Sequence, residues 1–155
     1  MSKRRDVLKD VVGIGNAMVD ILTIADEAFL AKHNLAKGAM ILVEAGEADG
    51  IYEAMSTRVE MSGGSVGNTM SGLASLGGTG SYIGKVHNDQ LGLIFQRDLE
   101  SLGITFSAIP ATSGAPTARC LVVVTPDGQR SMATHLGACV ELGPEDIDAA
   151  TIREH

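Results

Sequence analysis

The sequence predicts an α/β layer with a small β appendage. Three observations carry that reading. Apolar runs of strand type alternate with helical segments, one tight turn at Pro126-Asp127-Gly128 joins two β runs, and no repeat, low-complexity tract or Pro/Ser-rich linker divides the chain. At 155 residues and 45% hydrophobic content, there is enough apolar material for one packed domain.

The elements follow in order. Asp6 to Ile14 carries Val7, Leu8, Val11, Val12 and Ile14 and runs into Gly13-Ile14-Gly15-Asn16, a buried strand ending in a tight turn. Ala17 to Ala25 predicts a second strand, with Val19, Ile21 and Ile24 on one face and Asp20, Met18 and Leu22 on the other. A carboxylate among apolar neighbours asks for a hydrogen-bonding partner or a ligand. Asp26 to His33 reads as a short helix capped by Asp26, Ala39 to Val43 as a strand and Ala45 to Ser56 as a helix. From Glu60 to Asn68 a glycine-rich loop is expected, followed by a small-residue helix over Thr69 to Leu76 that Gly77-Gly78 ends. Tyr82-Ile83-Gly84 reads as a short strand. Gln90 to Leu102 reads as an amphipathic helix with Leu91, Ile94, Phe95, Leu99 and Leu102 on one side, closed by Gly103, with Asp89 as a candidate cap. Ala118 to Thr125 and Gln129 to Thr134 flank the turn as a hairpin, and Pro144 with Glu145 and Asp146 starts the last helix.

Charge and composition exclude several classes. With 12 Lys+Arg against 19 Asp+Glu and no block of like charge, the chain lacks the basic face a nucleic-acid surface needs. No apolar run reaches the ~18 residues of a membrane span, since Asp20 interrupts the best stretch between Val11 and Ala25. Met1 to Lys9 is charged and without an apolar core, unlike a secretory signal. A cytoplasmic setting is expected, with Cys120 and Cys139 as reduced core thiols, because neither has the spacing of a metal or redox pair. His33, His87, His135 and His155 are too scattered to suggest a zinc site.

Two glycine clusters bear on chemistry. Gly13-Ile14-Gly15 lacks the third glycine of a dinucleotide fingerprint and continues as a strand, and Gly63 to Asn68 lacks the Gly-Lys-Ser/Thr ending of a Walker loop. The second cluster fits a backbone that approaches a polar ligand at a helix N-terminus, or equally a tight turn that packs helix against strand. Asn16, Asp20 and Asn68 are more suggestive together, since a carboxylate and amides can grasp a pair of sugar hydroxyls.

Three segments in order resemble the PfkB (ribokinase-like) carbohydrate and nucleoside kinases. They are Val11-Val12-Gly13-Ile14-Gly15-Asn16 with Asp20; Met61 through Thr69 with Ala74-Ser75-Leu76-Gly77; and Ile83-Gly84-Lys85-Val86-His87-Asn88-Asp89-Gln90-Leu91-Gly92. Pro116-Thr117-Ala118 and Asp127-Gly128-Gln129-Arg130-Ser131 resemble the family's β-lid, while Val66 departs from the small residue usual there. Within the family the chain is most similar to bacterial adenosine kinases, on the Gly-Gly-Ser loop and the segment from Gly137 to Asp146. The resemblance implies a ribokinase-like, Rossmann-like layered sheet, with lid strands near 17–25, 39–43 and 117–135 of a single kinase domain. It implies that Asp20 and Asn68 bind ribose hydroxyls, that Gly63 and Gly64 pack against the sugar and that Asn16 supports the pocket. It further implies that Met40, Leu42, Thr134 and Leu136 approach the base and that Arg130 closes over substrate and phosphate. Lys85 and Asp89 are motif residues to which it gives no role.

The family's Gly-Ala-Gly-Asp and magnesium-associated Asn-x-x-Glu do not occur in this sequence. The resemblance therefore implies the N-terminal half of a kinase, with the C-terminal ATP-binding and catalytic half absent and no catalytic residue of its own. ATP and Mg2+ would serve the complete enzyme, acting on adenosine or, alternatively, on a sugar as ribokinases and fructokinases do. This chain alone would be inactive, since phosphoryl transfer depends on positioned charge stabilisation. A reading from a different class is a non-catalytic nucleoside-binding or assembly module. Self-association is expected through lid strands or a truncated sheet edge.

Overall fold

The computed structural model describes residues 8–155. Asp6 and Val7, with which the first expected strand begins, lie outside the described residues, as does most of the charged opening segment. The first described strand, β1, is confined to Val11–Ile14.

Two sheets share one hydrophobic core. The smaller is parallel, in the order β1, β5 (Gly80–Ile83), β6 (Thr105–Phe106). Its two-residue last strand was not anticipated, being too short to show a period. The larger sheet has five strands in the order β3 (Met40–Leu42), β8 (Arg130–His135), β7 (Ala118–Val124), β2 (Met18–Ile24), β4 (Val59–Gly63). β7 and β8 form the expected hairpin, whereas β2 runs parallel to β7 and antiparallel to β4.

Helices cover one face of the larger sheet. Val19 and Ile21 of β2, Leu121 and Val123 of β7 and Ala133 of β8 are buried there with Leu30 of α1 (Glu27–Lys32), Ile51 of α2 (Ala45–Ala54) and Leu99 of α4 (Gln90–Ser101). Asp26 caps α1 as expected, its carboxylate accepting the Phe29 N–H at 3.0 Å. Phe95 of α4 makes edge contacts with Tyr82 of β5 and Phe106 of β6, at centroid distances of 5.3 and 5.5 Å, so α4 joins both sheets in one core.

Four expectations are corrected. The loop expected from Glu60 to Asn68 is instead the strand β4 followed at once by α3 (Ser65–Ser75). Pairing with β2 makes a strand of Glu60-Met61-Ser62, and Gly64 at φ 80° supplies the whole turn. Ile24 does not share a face with Val19 and Ile21. At period two its place is beside Asp20 and Leu22, where it is 76% exposed, and Thr23 takes the buried position. Leu102 is the half-exposed C-cap of α4 rather than part of its buried stripe. The segment after Pro144 opens as a 3-10 turn (Pro144–Asp146), with α5 (Ala149–Arg153) following.

The hairpin tip is tethered through Lys37, whose ammonium pairs with Asp127 at 2.7 Å and with Glu27 of α1. The Lys37 hydrogen bond, followed by that of the Thr125 hydroxyl, pulls the Asp127 carboxyl down to about 2. A depressed acid stabilises the fold above its ordinary value of 3.8 and loses that contribution as pH falls toward about 2. Both groups face solvent, so the effect is small. Lys37→Met is expected to lower the urea midpoint slightly at neutral pH, and the difference should shrink in high salt and close near the acid limit. Denaturation curves across pH and salt check this.

Candidate functional site

The face of the larger sheet turned away from the helices is open, and strand register lays its side chains in rows. One row reads Met61, Asp20, Cys120, Thr134, Leu42, each paired with the next across β4, β2, β7, β8 and β3. Its neighbour reads Val59, Leu22, Val122, Met132, Met40 and carries no charge. With about 4.8 Å between strands, Asp20 and Leu42 stand about 14 Å apart.

Asp20 is half-buried, and burial alone raises its carboxyl above the usual range, with no hydrogen bond or cation among the described residues to offset it. The carboxylate rests against Gly63, where a Cβ would collide with its Cγ and both oxygens. Gly64 stands close to Asn16, since a Cβ there would lie 2.8 Å from the Asn16 carbonyl oxygen. Both glycines are therefore required by close approach, Gly64 also by its positive φ. Beyond them begins α3, whose N-cap Gly64 makes no side-chain cap, leaving the amides of Ser65, Val66 and Gly67 without helical partners. Asn68 lies in that first turn, exposed, its own N–H donating to the Gly64 carbonyl at 2.9 Å.

The remaining candidates distribute along the same face. Thr134 is buried and its hydroxyl donates to Cys120 Sγ at 3.3 Å. Met40 and Leu42 are exposed, Leu42 at 61%, and Leu136 lies just past β8, half-buried. Arg130 pairs with Val124, four residues along β7 from Cys120, which places it about 13 Å from the Asp20 row. Asp20 and Arg130 are the two charges that the five strands set on this face. A hollow of about 440 Å³ lies beside them at Leu22, Ile24, Val59 and Met61, and Asp20 does not line it.

Cys120 was read from sequence only as a core thiol. It is buried and free, and its thiol is pushed up by burial, yet its register places it between Asp20 and Thr134. The signal was in the turn, because closing the hairpin at Pro126-Asp127-Gly128 sets Cys120 opposite Thr134. Lys85, left without a role, ties down the chain after β8, donating to Asp146 at 2.8 Å and to the Glu141 carbonyl at 3.1 Å. Among the described residues no group of three or more His, Cys, Asp and Glu side chains could hold a metal ion, and no helix is long and apolar enough to cross a membrane.

Comparison with known proteins places this geometry in a lineage. The pfkB family carbohydrate kinase profile matches residues 15–153. Adenosine kinase from Sinorhizobium meliloti is 52% identical with a TM-score of 0.82, the match covering 90% of this chain and 43% of that one. A probable sugar kinase from Rhizobium etli is 45% identical with a TM-score of 0.86, covering 96% and 45%. An ATP-dependent ribose-1-phosphate kinase from Halopiger xanaduensis is 35% identical over 107 residues, which is 69% of this chain and 36% of that protein. The chain thus spans less than half the length of each of these relatives.

Proposed function

The chain belongs to the pfkB family of carbohydrate kinases, and from that premise we propose that it holds the acceptor of an ATP-dependent phosphoryl transfer to a ribose hydroxyl, with adenosine as the acceptor. The observation that carries this is the row Asp20, Cys120, Thr134, Leu42. Asp20 is a half-buried carboxylate lacking a donor among the described residues, and two adjacent ribose hydroxyls would supply one each. Gly63 lets the sugar approach that carboxylate, with Asn16 and Asn68 at the rim. Past Asp20 the row turns to small and apolar side chains, which suit the face of a base, with Met40 and Leu136 beside it. The 52% identity to an adenosine kinase supports the same reading.

Charge argues for a neutral acceptor. A phosphorylated sugar, as in the name of the Halopiger relative, would set an anion near Asp20 with Arg130 about 13 Å off along the strands. Arg130 is better placed to meet phosphate arriving from the donor as the site closes. The likeness to a probable sugar kinase favours a second reading, a neutral monosaccharide held by the same carboxylate. We also propose that these residues alone do not transfer phosphate. Asp20 is flanked across the sheet by Met61 and Cys120, leaving no second carboxylate there to act as base, and ATP with Mg2+ would be held elsewhere in the complete enzyme. The free thiols fit a reducing, cytoplasmic setting. The exposed Ile24, Val59 and Met61 suit self-association of the open face.

Calorimetric titration with adenosine, guanosine, fructose and ribose 1-phosphate tests the assignment. Adenosine is expected to bind most tightly. Tighter binding of ribose 1-phosphate would overturn the neutral-acceptor reading, and fructose alone would establish the sugar reading in its place.

A further inference from the structure

Helix α4 is fastened to both strands that flank Asp20. At its start Asp89 accepts three hydrogen bonds: Oδ1 takes the Gly92 N–H at 2.8 Å and the Thr117 hydroxyl at 2.7 Å, and Oδ2 takes the Thr117 N–H at 2.9 Å. Thr117 is fully buried, its hydroxyl oxygen also accepts the His87 N–H at 2.9 Å, and the next residue opens β7. In the last turn of α4, Asp98 Oδ2 accepts the Ser62 N–H of β4 at 2.6 Å. Cys120 of β7 and Met61 of β4 are the residues paired with Asp20.

Neither carboxylate is explained by the helix itself. Capping α4 needs one oxygen of Asp89, and asparagine would cap as well. The second oxygen is spent on the Thr117 amide. Asp98 sits at the negative end of the helix dipole, where an acid is unfavourable, so its contribution lies in receiving Ser62. The two tethers are about 13 Å apart along one rigid helix, and each ends on the backbone of a strand beside the acceptor carboxylate.

We infer that α4 is a two-point clamp, with Asp89 and Asp98 as positioning residues that set where Asp20 stands by holding the strands on both sides of it. This rests on the reading of Asp20 as the acceptor anchor. Thr117 and Ser62 transmit the clamp through their amides, and no clamp residue touches the acceptor.

The test is calorimetric titration of the full chain with adenosine, with circular dichroism for the fold and hydrogen exchange for the amides of β4 and β7. Asp89→Asn keeps the cap but turns a donor on the Thr117 amide, and Asp98→Ala removes the acceptor of Ser62. Each is expected to weaken adenosine binding about tenfold or more in a folded chain, with faster exchange at Thr117 and Ser62 respectively. Asp98→Asn, whose amide oxygen still accepts, and Thr117→Ser, which keeps the hydroxyl, should restore affinity. A purely structural role would lower stability and leave the affinity of the folded fraction unchanged. Natural affinity in folded Asp89→Asn and Asp98→Ala therefore overturns the clamp and leaves the Asp20 reading intact. Should Asp89→Asn fail to fold, Asp98→Ala against Asp98→Asn decides alone. A natural chain that binds none of adenosine, ribose and fructose overturns the acceptor reading and the clamp with it.

Discussion

Asp20→Asn is expected to abolish acceptor binding while leaving the fold at least as stable as before. Binding relies on a charged acceptor of two hydroxyl donors, and hydrogen bonds to charged groups contribute about 1.5–3 kcal/mol each. Losing both corresponds to roughly a hundred- to ten-thousandfold rise in Kd. Stability moves the other way, because burial raises the Asp20 carboxyl above its ordinary 3.8 with nothing among the described residues to offset it. The native state therefore binds its proton more tightly than the unfolded chain does. Stability from this group falls as pH rises from 3.8 through the raised value, and the cost is present in full above it. Asparagine removes that cost. Acceptor affinity in the natural chain should decline on acidification through the same raised value. Titration calorimetry and urea denaturation at several pH values check both halves, and an Asp20→Asn chain that bound adenosine with natural affinity would remove Asp20 from the site.

Gly63→Ala should strike the same site through geometry. The new methyl would lie within the Asp20 carboxylate, at the last residue of β4 where it pairs with Met18, so either the carboxylate swings away or β4 shifts. Overpacking of this kind costs about 1–3 kcal/mol of stability, and a displacement of about 1 Å in a positioned group can cost a hundredfold in function. Affinity is therefore expected to fall about a hundredfold with a lower urea midpoint. Gly72→Ala is the matched control. A Cβ at Gly72 meets nothing within 4 Å, and alanine within a helix gains up to about 1 kcal/mol over glycine. It should raise the midpoint and leave binding unchanged. If Gly63→Ala bound adenosine like the natural chain, close packing against the carboxylate would be incidental.

These two substitutions mark what the sequence discloses and what it hides. Period-two alternation in Ala17 to Ala25 was enough to set Asp20 apart from Val19 and Ile21. It failed at Ile24, where hydrophobicity was taken for burial although the position lies on the open face. The hairpin was legible because its turn chemistry is local. Strand β4 was not, because Glu60-Met61-Ser62 lacks strand propensity and acquires its structure from β2, some forty residues earlier in the chain. Asp89 was visible as a cap and nothing more, since its second oxygen meets Thr117 only after the chain has folded back. Local chemistry named the acceptor carboxylate, while long-range pairing built its surroundings.

The parallel pairing of β2 with β7 has a consequence in time. Met18 must wait for Ala118, so the row containing Asp20 closes only after the hairpin of β7 and β8 has been synthesised, about a hundred residues later, and such distant pairings are slow to form. Until then β4 can flank β2 on one side, and the unpaired backbone of its other edge stays exposed to mispairing. A ligand grasped by Asp20 together with the surfaces of β7 and β8 would recognise only chains that have passed this stage. It would draw late folding intermediates toward completion by mass action, acting as a chaperone for the protein that binds it.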